Sequence, residues 1–137
     1  MATKDFSTHL SYIVYAQPEE VYDALTNPAL IAQWIEGDFV FELKENGSVS
    51  FFDGWVNGVL EEFAPNKTLS YTWKPNTWDK KTKPSIVDIR FSKVAAGTQV
   101  EITHTQFPNA DEATKHREGW LNYFLEPLND YFIARMK

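Results

Sequence analysis

Histidines and paired carboxylates are the side chains of this sequence that could support acid–base chemistry. His104 follows Val100 and Ile102 at two-residue spacing, which predicts that it faces inward from a strand. A neutral imidazole there could act as a base or hold the polar end of a ligand, and it could equally be a hydrogen-bonded core residue. Its predicted inward neighbours are aliphatic or aromatic, so we find no catalytic triad.

Glu61 and Glu62 are adjacent carboxylates in a predicted strand. Neighbours on a strand point to opposite faces, so these two cannot share a proton across a cleft, and ordinary surface charges are one interpretation. The alternative places Glu61 on an inward face shared with Trp55 and Asn57, where it would be the best acid–base candidate of the chain.

The remaining histidines give no sign of a metal or cofactor site. His9 and His116 lie at unrelated positions with polar neighbours. No His, Asp or Glu spacing resembles a metal motif such as H-E-x-x-H. We therefore expect no metal and no cofactor.

Length and composition indicate one globular domain over residues 1–137, with 43% hydrophobic and 23% charged residues. The net charge of −6 argues against nucleic-acid or anionic-membrane partners, which attract basic surfaces. The absence of cysteine excludes disulfides and thiol nucleophiles. Without a signal peptide or a long apolar run, we expect a cytoplasmic protein, and we expect a monomer.

The order of predicted elements is typical of an α+β fold. A strand over 6–15 precedes two short helices, which begin near Pro18 and Pro28. A period of two then predicts further strands at 39–43, 49–51, 55–63, 68–74, 85–93 and 98–105. A long helix should start at the Asn109 cap and run to Arg135, with a kink at Pro127. We therefore expect a curved antiparallel sheet of about six strands that grips the long helix, with a gap between them.

An unusual aromatic content could line that gap. The predicted inward faces place ten side chains where a ligand could bind, which are Trp34, Phe41, Phe51, Asn57, Tyr71, Trp73, Phe91, His104, Trp120 and Phe124. The alternative is a solid aromatic core, because periodicity shows which residues face inward and does not show whether the interior is filled.

The loop over 74–84 forms a basic patch in an otherwise acidic chain. Lys74, Lys80 and Lys81 surround Trp78. Such a patch with one exposed aromatic ring could dock an acidic partner surface, and it could also be a solvated hairpin connection.

Several segments together resemble a known family. They are VYAQPEEVYDALTNPALIAQW, SFFDGWVNGVLEEFAPNKTLSYTWK, the loop around Trp78, and Gly119-Trp120 with the following YFLEPLNDYF. In order and spacing the chain resembles the SRPBCC superfamily of helix-grip folds, which are START-like and Bet v 1-like. Within it, the chain is similar to the C-terminal domain of the activator of heat shock protein 90 ATPase.

The resemblance implies a cavity between helix and sheet, in a family that contains chaperone activators and uncharacterised single-domain bacterial proteins. We interpret the chain as a non-enzymatic protein that binds a small hydrophobic or amphipathic ligand and acts in stress response. One alternative is a co-chaperone that stimulates a heat shock protein 90 ATPase. Another is a polyketide cyclase or hydrolase-like enzyme, which would need Glu61 or His104 beside the pocket.

Overall fold

A computed structural model describes residues 6–136. The strands are β1 (Phe6–Val14), β2 (Val40–Phe41), β3 (Ser48–Phe51), β4 (Val56–Ala64), β5 (Thr68–Pro75), β6 (Ser85–Val94) and β7 (Gly97–Phe107). The helices are α1 (Pro18–Thr26), α2 (Pro28–Trp34), α3 (Ala110–Gly119) and α4 (Glu126–Arg135). A π-helical segment, Trp120–Leu125, joins α3 to α4.

The strands form one antiparallel sheet in the order β1-β7-β6-β5-β4-β3-β2. The first strand therefore crosses to pair with the last, and β1 and β2 form the two edges. The α+β class and the long C-terminal helix are confirmed, and each of the seven predicted strand segments contributes a strand, one more than the expected sheet of about six.

The inward faces follow the predicted alternation on the three central strands. The buried side chains are Leu69, Tyr71 and Trp73 on β5, Val87, Ile89 and Phe91 on β6, and Val100, Ile102 and His104 on β7. The prediction fails at the far edge, where the strand expected over 39–43 is only two residues long and Leu43 is 43% exposed. Pairing of β2 with β3 is limited to Val40 with Ser50 and Phe41 with Val49, so Leu43 lies beyond the sheet.

The helices begin where the sequence indicates. Pro18 and Pro28 occupy the first turns of α1 and α2. The Asn109 side chain accepts a hydrogen bond of 2.8 Å from the Glu112 backbone N–H, which caps α3.

Pro127 produces an irregularity in the long helix, which takes the form of a π-helical turn and not of a simple kink. A proline has no N–H, so it cannot donate to the carbonyl four residues earlier. The chain adopts a wider π-type turn just before it, in which the Glu126 N–H bonds to the carbonyl of Leu121, five residues back. The expected irregularity is present as this π-helical segment, which continues the long helix from α3 into α4.

An aromatic cluster fills the space between the long helix and the sheet. Phe124 packs with ring centroids 5.2 Å from Phe51, 5.8 Å from Trp34 and 6.0 Å from Trp73. Trp120 lies 5.0 Å from Trp73. All five side chains are buried, so helix and sheet meet through a packed interior.

A buried chain of hydrogen bonds crosses the same contact. Trp120 Nε1–H donates to His104 Nδ1 at 2.9 Å, and an indole N–H can only donate. The Ser85 hydroxyl donates to the Trp73 carbonyl at 2.7 Å, so its oxygen accepts from His104 Nε2–H, also at 2.7 Å. A neutral His104 with its proton on Nε2 satisfies every bond, which ties the helix to β5, β6 and β7.

Within residues 6–136, no helix combines the length and apolarity that crossing a bilayer requires.

Replacing His104 by phenylalanine should destabilise the protein by about 2 kcal/mol, because the buried Trp120 N–H loses its acceptor. Urea denaturation measures the free energy of unfolding. The exposed His9 provides the control, since His9→Phe should cost less than about 0.5 kcal/mol. The double variant His104→Phe, Trp120→Phe should cost less than the sum of the single changes. Additive losses would contradict the hydrogen-bond chain.

The free energy of unfolding should decrease as the pH falls from 6.5 to 5.5. Burial, reinforced by the neighbouring His116, holds the pKa of His104 well below its ordinary value, so the unfolded chain binds this proton more readily than the folded chain. Stability is therefore present above about pH 6.5 and is lost as the pH falls, with a slope that approaches about 1.4 kcal/mol per pH unit for this group. The slope should be shallower in His104→Phe, and an unchanged slope would show that His104 is not the titrating group.

Candidate functional site

A cleft of about 380 Å³ opens at one rim of the contact between helix and sheet. One wall is the turn between β3 and β4, and the other is formed by α3 and the π-helical segment. The lining residues are Glu36, Phe52, Trp55, Trp73, Glu112, Lys115, His116, Gly119, Trp120, Tyr123 and Phe124.

The β3–β4 wall depends on an unusual backbone conformation. Phe52, Asp53 and Gly54 all have positive φ, at 57°, 59° and 85°. This region is uncommon for residues with a side chain, and such positions cost about 1–3 kcal/mol each. The Asp53 carboxylate accepts from the Asp38 N–H at 2.8 Å, and the Asp53 N–H donates to the Asp38 carbonyl at 2.9 Å. These two bonds fix the turn and hold the Phe52 ring in the cleft wall.

The helical wall is built from the π-helical segment. It supplies Trp120, Tyr123 and Phe124 to the lining, and π-helical turns are frequent at functional sites. The Phe52 ring lies edge-on to Phe124 at 5.5 Å and to Tyr123 at 5.9 Å, so the two walls meet through aromatic contacts. Tyr123 remains 53% exposed at the mouth.

His116 has one occupied and one free ring nitrogen in this cleft. Its Nδ1 lies 2.8 Å from the Glu112 backbone carbonyl, which only accepts, so Nδ1 carries the proton. Its Nε2 is buried and has no hydrogen-bond partner among the described residues. Burial lowers the pKa of His116, opposed by the Glu112 carbonyl and carboxylate, so the ring is neutral at pH 7 and Nε2 presents a lone pair.

Trp73 contributes a second unpaired nitrogen. Its buried Nε1–H has no acceptor within residues 6–136. Leaving a buried polar group unpaired costs about 1–3 kcal/mol, and such groups in a native structure call for an explanation. The cleft therefore combines apolar walls with two unsatisfied ring nitrogens on lining residues, a combination suited to binding a small ligand with a polar group.

Charged groups lie at the rim. The Glu112 carboxylate accepts from Trp78 Nε1–H at 3.0 Å and lies 3.5 Å from His116 Nδ1. Glu36 and Lys115 also border the cleft. In the part of the chain that the structure describes, no group of three or more His, Asp or Glu side chains could hold a metal ion.

Three of the ten predicted ligand-binding residues line the cleft, namely Trp73, Trp120 and Phe124. Six others are buried outside it, which are Trp34, Phe41, Phe51, Tyr71, Phe91 and His104. They were predicted to wall a pocket and instead belong to the packed interior, because aromatic rings fill the space. Both His104 nitrogens are already bonded.

On β4 the inward placement of Asn57 was wrong, whereas the interpretation of Glu61 and Glu62 as surface charges agrees with their exposure. Val56 and Leu60 take the inward face, so Asn57 and Glu61 are exposed on the other side. The register shift between Leu60 and Glu62 leaves Glu61 as an extra residue without a partner on β5. Asn57 therefore cannot orient a ligand in the cleft, and Glu61 is not an inward acid or base.

The basic loop also differs from expectation. Trp78 is half-buried, and its ring lies 6.0 Å from His116 and 6.2 Å from Phe107, so it is not an exposed docking ring. Lys74 is partly buried and donates to the Lys80 carbonyl at 3.2 Å. Lys80 and Lys81 are exposed.

Sequence reasoning missed four important cleft residues, which are Phe52, Trp55, His116 and Tyr123. A signal for His116 was available, since it lies four residues before Trp120 and eight before Phe124 on one helical stripe. Phe52 and Trp55 flank Asp53-Gly54, a turn signal whose geometry the sequence does not determine.

Known proteins resemble this chain in sequence. The chain is 32% identical over 121 residues to an activator of 90 kDa heat shock protein ATPase homolog from Dictyostelium discoideum, a match that covers 88% of this chain and 31% of that protein. The chain thus spans about a third of the length of the curated relatives it matches.

Solved structures share the fold. A protein from Mesorhizobium loti superposes with a TM-score of 0.80 at 24% identity, covering 93% of this chain and 97% of that one. An HSP90 activator from Plasmodium falciparum superposes with a TM-score of 0.75 at 23% identity, covering 89% and 91%. The model of the Activator of Hsp90 ATPase homolog 1-like protein family matches residues 15–132. The chain belongs to this family.

Proposed function

We propose that the chain binds a small, largely apolar aromatic ligand in the cleft between the β3–β4 turn and the long helix. The observation that carries the proposal is an open cleft with aromatic walls beside a filled interior. Its volume of about 380 Å³ lies in the range of small-molecule sites, which are mostly apolar with a few polar groups.

Energetics predict modest affinity. Burying about 300 Å² of apolar ligand surface is worth roughly 7 kcal/mol. Association costs about 4–15 kcal/mol in lost freedom of motion. A purely apolar probe should therefore bind weakly, near the millimolar range.

Truncating Tyr123 should weaken binding of the probe toluene about fivefold, because this ring supplies apolar contact at the cleft mouth. The dissociation constant can be measured from amide chemical shifts in a toluene titration of Tyr123→Ala. Tyr15→Ala is a matched control, since Tyr15, which directly follows β1, is 47% exposed and does not line the cleft. The largest shifts should include Gly119 and Trp55. Equal weakening by both variants, or shifts confined to other surfaces, would contradict a binding site in this cleft.

A second function is favoured by family membership. We propose that the chain also contacts a heat shock protein 90 chaperone and changes its ATPase rate, with Lys80 and Lys81 as the exposed basic contact. Because Trp78 donates to Glu112, its role there is to fix the loop on α3.

An enzymatic role built on His104 or Glu61 has no support in the geometry. Both nitrogens of the buried His104 are occupied, and Glu61 faces solvent on the other side of the sheet.

Charge reversal at Lys80 and Lys81 should reduce stimulation of the chaperone ATPase severalfold, because it replaces attraction to an acidic surface by repulsion. A coupled ATPase assay with heat shock protein 90 measures the effect. Lys67→Glu with Lys93→Glu makes the same change in net charge at two other exposed positions and should leave stimulation unchanged. If neither the wild type nor the control alters the ATPase rate, this second function is wrong.

A further inference from the structure

The two unpaired ring nitrogens of the cleft have opposite requirements. Trp73 Nε1–H can only donate a hydrogen bond, whereas Nε2 of neutral His116 can only accept one. The two rings lie nearly perpendicular, at 77°, with centroids 6.0 Å apart. A single polar group that serves both residues must therefore accept from Trp73 and donate to His116.

We propose that the cleft selects aromatic ligands that carry a hydroxyl group, whose O–H donates to His116 Nε2 and whose oxygen accepts from Trp73 Nε1–H. This selectivity rests on the proposed ligand-binding function and names its ligand class, a phenol or a similar alcohol.

Other polar groups fit the two nitrogens less well. A carboxylate has no hydrogen to give to His116 Nε2, and it would face the acidic groups Glu112 and Glu36 at the cleft. An ammonium group has no lone pair for the Trp73 N–H. An ether accepts from Trp73 and leaves His116 Nε2 unpaired. A hydroxyl both donates and accepts, so it alone among these groups satisfies both residues.

Burial, and not the neighbouring charged groups, favours the neutral, accepting form of His116 at pH 7. Glu112 and Lys115 lie on the same helix, Glu36 borders the cleft from the segment after α2, and the His104 ring of β7 lies 5.3 Å away. Burial lowers the pKa of His116 and outweighs the opposing effect of Glu112. Nε2 is then a lone-pair acceptor above the ordinary imidazole pKa of about 6.5 and becomes a donor as the pH falls through the lowered value.

The proposal is tested with three probes that differ only in the substituent para to the methyl group, namely toluene, 4-methylanisole and p-cresol. In chemical-shift titrations at pH 7.5, p-cresol should bind about fivefold more tightly than either of the others, the effect of one net hydrogen bond. His116→Phe should abolish this advantage, so that all three probes bind this variant with the same affinity within about twofold. His9→Phe changes an exposed histidine outside the cleft and should preserve the advantage.

A measurement on the unmodified chain makes the test independent of any variant. The ratio of the p-cresol affinity to the 4-methylanisole affinity should decrease toward one as the pH falls from 7.5 to 5. The reason is that the protonated His116 Nε2 can donate to the oxygen of either probe. Equal affinities for all three probes at pH 7.5 would overturn the hydroxyl selectivity and leave the apolar site intact. If no probe binds, both the selectivity and the proposed ligand-binding function are wrong.

Discussion

The contact on which the structure depends is the packing of Trp120 and Phe124 from the helix against Trp73 from the sheet. Their rings lie within 4.5–6.0 Å of one another, and all three side chains are buried. The hydrogen-bond chain through His104 fixes the orientation of the same rings, since a buried indole N–H must find an acceptor. Because this contact fills the middle of the grip, the cleft lies at its rim.

That rim is built from two locally unfavourable structures that face each other. Three consecutive residues with positive φ hold Phe52 in one wall, and a π-helical turn before Pro127 presents Tyr123 and Phe124 from the other. Regular structure would be less costly at both places, and the surrounding packing and the Asp38–Asp53 hydrogen bonds keep them in place. Their coincidence with two unpaired ring nitrogens is the physical basis for assigning function to the cleft.

Much of the fold could be predicted because periodicity reports which side of an element is buried. The faces of β5, β6 and β7, the Asn109 cap and the α+β class followed from residue spacing alone. Periodicity failed where the register changes, as at the bulge that leaves Glu61 unpaired, and at the short edge strand β2. It also could not show whether inward rings leave a cavity, which depends on how they interlock in three dimensions.

The candidate site was harder to predict for the same reason. Trp73, Trp120 and Phe124 were correctly placed between helix and sheet, but their neighbours in the cleft come from a turn whose backbone the sequence does not determine. His116 was overlooked because its sequence neighbours are polar, while its neighbours in space are Trp55, Trp73 and Trp78. The environment of a side chain such as His116 is set by contacts with residues that are distant from it in the sequence.

Intermolecular nuclear Overhauser effects between bound p-cresol and the protein would locate the binding site most directly. We expect contacts from the ligand ring to Phe52, Trp55 and Tyr123. Contacts instead to Phe41, Tyr71 or Phe91 would show that the interior opens to ligand, and would contradict a filled grip with its binding site at the rim.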